Sequence, residues 1–131
     1  MDPALEFDWV TARQQCNPGN LFKRLRVGVE MDCVARNSSL TEAQRDDYIS
    51  FQVKDVNSRA FRVHRNGANL VTQLDFEYDA AQIVVRDTER VIVSASVTFT
   101  DQRECRLQVN GVSVEDWQFR LSALEKLFFG F

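Results

Sequence analysis

Residues that build most catalytic and metal centres are scarce in this chain: one histidine, three cysteines and five glycines in 131 residues. With a single histidine there is no His-rich zinc site, and Cys16, Cys33 and Cys105 show neither CxxC nor Cys/His metal spacing. The glycines Gly19, Gly28, Gly67, Gly111 and Gly130 are isolated, so neither a P-loop nor a dinucleotide-binding loop is present. An expectation of no cofactor and no metal follows. No stretch approaches 18 consecutive apolar residues, which excludes a membrane-spanning helix. The first residues carry Asp2 and Glu6 and lack a basic region followed by an apolar one, so the expected compartment is the cytoplasm.

Excess positive charge is also missing. Sixteen Lys and Arg face nineteen Asp and Glu, a formal net charge of −3. Nucleic-acid binders draw affinity from neutralising phosphates, so no nucleic-acid partner is expected. The densest basic run, Lys23-Arg24-Leu25-Arg26, reads as a solvated helix face. Only three of the sixteen cations are lysine, a bias that a GC-rich coding sequence produces without any recognition role.

What is present is ordinary for a folded chain: 44% hydrophobic and 27% charged residues, at a length that fits one domain over 1–131. Residues 6–16 read as a short amphipathic helix stopped by Pro18-Gly19. Over 20–37, Phe22, Leu25, Val29 and Cys33 have helical spacing, with Asn20 as a candidate N-cap. Leu25, Val27, Val29, Met31 and Cys33 also alternate with polar residues as a strand would; the length and the charged residues favour helix. Thr41-Glu42-Ala43-Gln44 matches a capping box.

From Phe51 the period changes to two, with strands expected at 50–56, 60–65, 69–78, 82–87, 91–100 and 104–109. Asn66-Gly67 is the pair a two-residue type I′ hairpin prefers, which would pair Arg65 with Ala68. Phe61 and Val63 then share the inner face with Leu70, Thr72, Leu74, Phe76 and Tyr78. Arg62 and His64 share the outer one with Asn69, Val71, Gln73, Asp75 and Glu77. Val91, Val93, Ala95, Val97 and Phe99 are the inward set of the next long strand, and Cys105, Leu107 and Val109 that of the last. Cys33 and Cys105 therefore read as small buried hydrophobes, and Cys16 as the accessible thiol. A C-terminal helix starting near Ser113 or Val114 places Trp117, Leu121, Leu124 and Phe128 on one stripe facing the sheet. The expected fold is α+β: N-terminal helices, a five- to six-stranded antiparallel meander, and the C-terminal helix packed on one sheet face.

Two surfaces are left over. The polar sheet face carries Arg62, His64, Gln73, Asp75, Ser94, Ser96 and Arg106. The tail carries Phe129 and Phe131 beyond the helix stripe. With no coherent catalytic set, these residues point to a non-enzymatic binding or protein-interaction domain that self-associates as a homodimer, or binds a protein partner or small ligand. The alternative is a small hydrolase or isomerase using His64 with Asp75 or Glu77 as acid–base groups and Arg62 or Arg106 for an anionic substrate.

Overall fold

The period-two segment folds into a seven-stranded antiparallel sheet in which every strand lies beside its sequence neighbour: β1 (Ser50–Asn57), β2 (Ala60–Asn66), β3 (Thr72–Tyr78), β4 (Gln82–Arg86), β5 (Val91–Phe99), β6 (Cys105–Val109) and β7 (Val112–Val114). The helices are α1 (Trp9–Gln15), α2 (Pro18–Ser38), α3 (Glu42–Asp46) and α4 (Asp116–Phe129). The computed structural model describes residues 6–67 and 72–130. The fold is α+β as expected, with seven strands in place of five or six.

Turn chemistry explains the meander. Asp79 accepts the backbone N–H groups of Ala81 and Gln82, and Asp87 those of Glu89 and Arg90. The extra strand arises at Asn110-Gly111, where both residues take positive φ (51° and 79°) and Val109 pairs with Val112. This is the Asn-Gly hairpin turn, and it delays the last helix to Asp116. Glu115 caps that helix, exchanging hydrogen bonds with Gln118 in a capping box.

The other Asn-Gly pair behaves differently. Arg65 pairs with Thr72, not Ala68, so the β2–β3 connection is longer than a two-residue turn. The expected pairing at Ala68 and the expected faces of Asn69, Leu70 and Val71 lie outside the described residues. The register differs from expectation by an even number of residues, which leaves the described side chains of β2 and β3 on their expected faces. It also brings Phe61 opposite Phe76, their rings stacked 4.7 Å apart.

Pro18 and Gly19 begin α2 and do not merely stop α1. Proline sits in the first turn, where its missing N–H costs nothing, and Asn17 is the N-cap, accepting the Asn20 N–H at 2.9 Å. Residues 25–33 are helical, and Leu25, Val29 and Cys33 are buried against the sheet with Phe22. Phe22 packs on Phe61 and Tyr78 with ring centroids 5.0 and 4.7 Å apart. The capping box at Thr41 and Gln44 forms as expected. In β5 a bulge opposite Val85 and Arg86 turns the first residues around: Val91 is exposed and Ile92 packs on the core. Val93, Ala95 and Val97 of β5, and Cys105, Leu107 and Val109 of β6, face the core as expected.

Cys16 is neither accessible nor free. It is buried and joined to Cys105 in a disulfide with Cα atoms 5.4 Å apart, and Cys33 is the buried free cysteine. Burial, with Asp32 and Glu30 nearby, pushes the Cys33 thiol up to about 12. The bridge ties the α1–α2 junction to β6 across 89 residues. Helix α1 buries no side chain of its own, although the Arg103 guanidinium lies over the Phe7 ring at 5.0 Å.

An aromatic disulfide reagent should titrate no thiol in the native chain, one after denaturation and three after denaturation with reduction. Reduction of the folded protein should expose Arg13 to trypsin ahead of the sheet. Replacing Cys16 and Cys105 with serine should lower the unfolding free energy by about 4–5 kcal/mol, the chain-entropy value for a loop this long. A second outcome concerns acid. The turn N–H groups hold Asp79 and Asp87 below the usual carboxylate range. Their stabilisation is complete above the unfolded-state value near about 4 and is lost as pH falls through the lower folded-state values. The thermal unfolding temperature should therefore fall below about pH 4, and less steeply in an Asp79→Ala, Asp87→Ala variant.

Candidate functional site

The outer face of the sheet is built by cross-strand pairing, and that pairing uses up its charges. Arg62 lies opposite Asp75 and binds it through two N–H donors, the nearer at 2.6 Å. Arg86 lies opposite Asp75 but is ion-paired with Glu77. Arg106 donates to Glu104 at 2.9 Å, leaving its buried Nε without a partner. His64 stands between Gln52 and Gln73 on the neighbouring strands. Ser94 and Ser96 are three strands away from His64 in the sheet order, roughly 14 Å in the hydrogen-bonding direction. The structure thus brings together Arg62 with Asp75 and Gln73 with His64, but no nucleophile with a base. Among the described residues no group of three His, Cys, Asp or Glu side chains converges as a metal site.

The inner layer presents a different surface. Phe119, Ala123 and Leu127 of α4 are buried, while Trp117 and Leu121 remain 53% and 48% exposed. The expected stripe of Trp117, Leu121, Leu124 and Phe128 therefore does not all face the sheet. Helix α4 has two neighbours, the sheet and α2, and the stripe lines the groove beside α2, with Leu124 and Phe128 buried in it. The groove has a volume of about 330 Å³, and Ala35 and Arg36 of α2 form its other wall.

The two helices run parallel, as their contacts establish: Arg24 binds Asp116 at one end, Arg120 binds Asp32 at 2.7 Å, and Arg36 reaches Phe128 at the other end. Gly28 leaves room for the Arg120 guanidinium, one nitrogen of which would lie 2.5 Å from a Cβ placed there. Arg36 is the one charged side chain buried among the described residues. Its Nε donates to the Phe128 carbonyl at 2.9 Å, and its guanidinium lies 5.6 Å from the Phe51 ring and 4.5 Å from that of Phe129. On the sheet side, Arg65 donates to the Leu127 carbonyl at 2.9 Å. Both cations satisfy terminal carbonyls of α4, where the helix dipole favours positive charge.

Phe129 is thus anchored on Arg36 yet remains 64% exposed; Phe131 lies outside the described residues. Beside the groove, α2 exposes Val27, Met31 and Val34 at helical spacing. A single apolar face on α2, as the helical spacing of Phe22, Leu25, Val29 and Cys33 suggests, leaves this patch out. Its signal was the alternation of Leu25, Val27, Val29, Met31 and Cys33, which reflects a helix with two apolar faces. Comparison with protein-family models, with curated proteins and with solved structures finds no match.

Denaturant unfolding should separate the two surfaces. His64→Ala, on the outer sheet face and away from the core, should change stability by less than about 0.5 kcal/mol. Arg36→Ala should cost roughly 2–3 kcal/mol by removing a charged donor from a buried carbonyl.

Proposed function

We propose that this chain is a non-enzymatic interaction domain that self-associates through the α2–α4 groove. The carrying observation is the grouping of exposed apolar side chains on one helix pair: Trp117, Leu121 and Phe129 of α4 line the open groove, and α2 exposes Val27, Met31 and Val34. Exposed apolar surface grouped in this way marks interaction sites more often than scattered single residues do. Aromatic residues are also enriched at interfaces, and Trp is among those that dominate their binding energy.

Charge supports a second copy as the occupant. The ions along the groove are satisfied within the chain, Arg24 by Asp116 and Arg120 by Asp32, so the patch offers no net charge for an oppositely charged partner. A two-fold contact needs a surface compatible with itself. Lys23 and Glu125 are exposed at opposite ends of the parallel helix pair. An antiparallel contact would set Lys23 of each copy toward Glu125 of the other. The outer sheet face, with Arg62 and Asp75 already paired, then serves as a solvated surface.

No described helix is long and apolar enough to cross a membrane. The Cys16–Cys105 bridge supports residence in an oxidising compartment over the cytoplasm expected from the sequence, because thiols are kept reduced in most cytosols.

Sedimentation equilibrium over a range of concentrations should return a monomer–dimer equilibrium. Met31→Glu and Leu121→Glu should each weaken it at least about tenfold, equivalent to about 1.4 kcal/mol, with the thermal transition retained. Ser96→Arg on the outer sheet face should leave it unchanged. A strict monomer at every concentration, or a dimer that survives both groove substitutions together, would overturn the proposal.

A further inference from the structure

The disulfide is not sealed inside the core. An open cavity of about 380 Å³ lies between α1, the start of α2 and the ends of β5 and β6. Ala12, Leu21 and Phe99 line it together with both bridged residues, Cys16 and Cys105. Cys16 is only 4% exposed, whereas Cys105 is partly buried, so Cys105 is the more open of the pair.

Two features suit this bridge to being opened. The first is a waiting acceptor: the Cys16 sulfur lies 3.5 Å from the Thr98 carbonyl. A disulfide sulfur has no proton to give that oxygen, whereas a Cys16 thiol would donate to it. The reduced state therefore gains a hydrogen bond that the oxidised state lacks. The second is how lightly α1 is held. It buries no side chain, and the hydrophobic core takes none from it. The contacts around it are exposed and local: Asn17 and Asn20 donate to the Gln14 and Gln15 carbonyls at 3.0 and 2.9 Å, and Arg103 lies over Phe7. Opening the bridge thus removes the main restraint on α1 and leaves the packing of α2 and α4 on the sheet in place. Leu21 and Phe99 on the cavity floor are uncovered.

We propose that Cys16–Cys105 is a thiol–disulfide exchange site, opened from this cavity by a dithiol that attacks the Cys105 sulfur. The attacking thiolate forms a mixed disulfide with Cys105, and the electron pair of the broken S–S bond leaves on Cys16, which takes a proton. The second thiol of the reductant then attacks its own sulfur in that mixed disulfide. Cys105 is released as a thiol and the reductant leaves as a disulfide, so two electrons and two protons pass to the protein. Dithiol proteins of oxidising compartments perform such exchanges. The cavity shares no lining residue with the α2–α4 groove, so this proposal is independent of self-association.

The probe is dithiothreitol, applied to the native full chain, with iodoacetamide quenching at intervals and peptide mass mapping of the alkylated cysteines. Cys16 and Cys105 should become alkylated together while Cys33, buried in the core, stays unmodified and reports that the fold is closed. The rate should rise in proportion to dithiothreitol, and urea below the unfolding transition should change it less than about twofold. Ala12→Phe, which fills the cavity, should slow it at least about tenfold. Glutathione, a monothiol that stops at the mixed disulfide, should be trapped on Cys105 with the alkyl group on Cys16. Reduction by a thioredoxin-class protein as well would assign a protein source for the dithiol, and by dithiothreitol alone a small-molecule one. Alkylation of Cys33 in step with the other two, a rate that climbs with urea as global unfolding does, glutathione on Cys16, or an unchanged or faster rate in Ala12→Phe would each overturn the proposal.

Discussion

The last carbonyls of α4 are held by two arginines that come from different layers, Arg36 from α2 and Arg65 from β2. A helix end buried without partners would be costly, and here each arginine supplies a donor and a positive charge to the negative end of the dipole. The clamp fixes the axial position of α4 against both the sheet and α2. With that position set, the groove opens on one side of the helix and a smaller space against the sheet on the other. Arg36 lines the first and Arg65 the second. Both spaces are therefore consequences of how one helix terminus is satisfied.

Local signals in the sequence carried much of this architecture. Period two across β1 to β6, the capping box at Thr41 and the apolar face of α2 are short-range patterns, and each appears in the structure. What escaped depends on longer-range choices. Asn66-Gly67 and Asn110-Gly111 are the same dipeptide, yet the second closes a tight hairpin and the first does not. Packing Phe61 on Phe76 sets the β2–β3 register in preference to the turn. The Cys16–Cys105 pairing was illegible because nothing short-range brings residue 16 to β6. The stripe through Trp117 was visible, but which neighbour it faces depends on α2 lying parallel to α4.

The charge balance acquires a location. On the outer sheet face Arg62 meets Asp75 and Arg86 meets Glu77, and between the helices Arg24 meets Asp116 and Arg120 meets Asp32. Exposed pairs of this kind contribute little stability each, and their effect is to leave both surfaces locally neutral. The free thiol of Cys33, buried with its proton held tightly, has no part in either surface.

A meander in which every strand joins its sequence neighbour has an implication for biosynthesis. Each hairpin can close as soon as its second strand leaves the ribosome, because no strand waits for a distant partner. The helices cannot follow that schedule. Helix α2 emerges early, with apolar residues on both faces, and must hold them in water until the sheet is made. Its neighbour α4 follows all seven strands in the chain, and the bond to Cys16 must wait for Cys105 in β6. Until α4 is made, a nascent chain would therefore hold an incomplete layer, the state in which a holding chaperone has the most to cover.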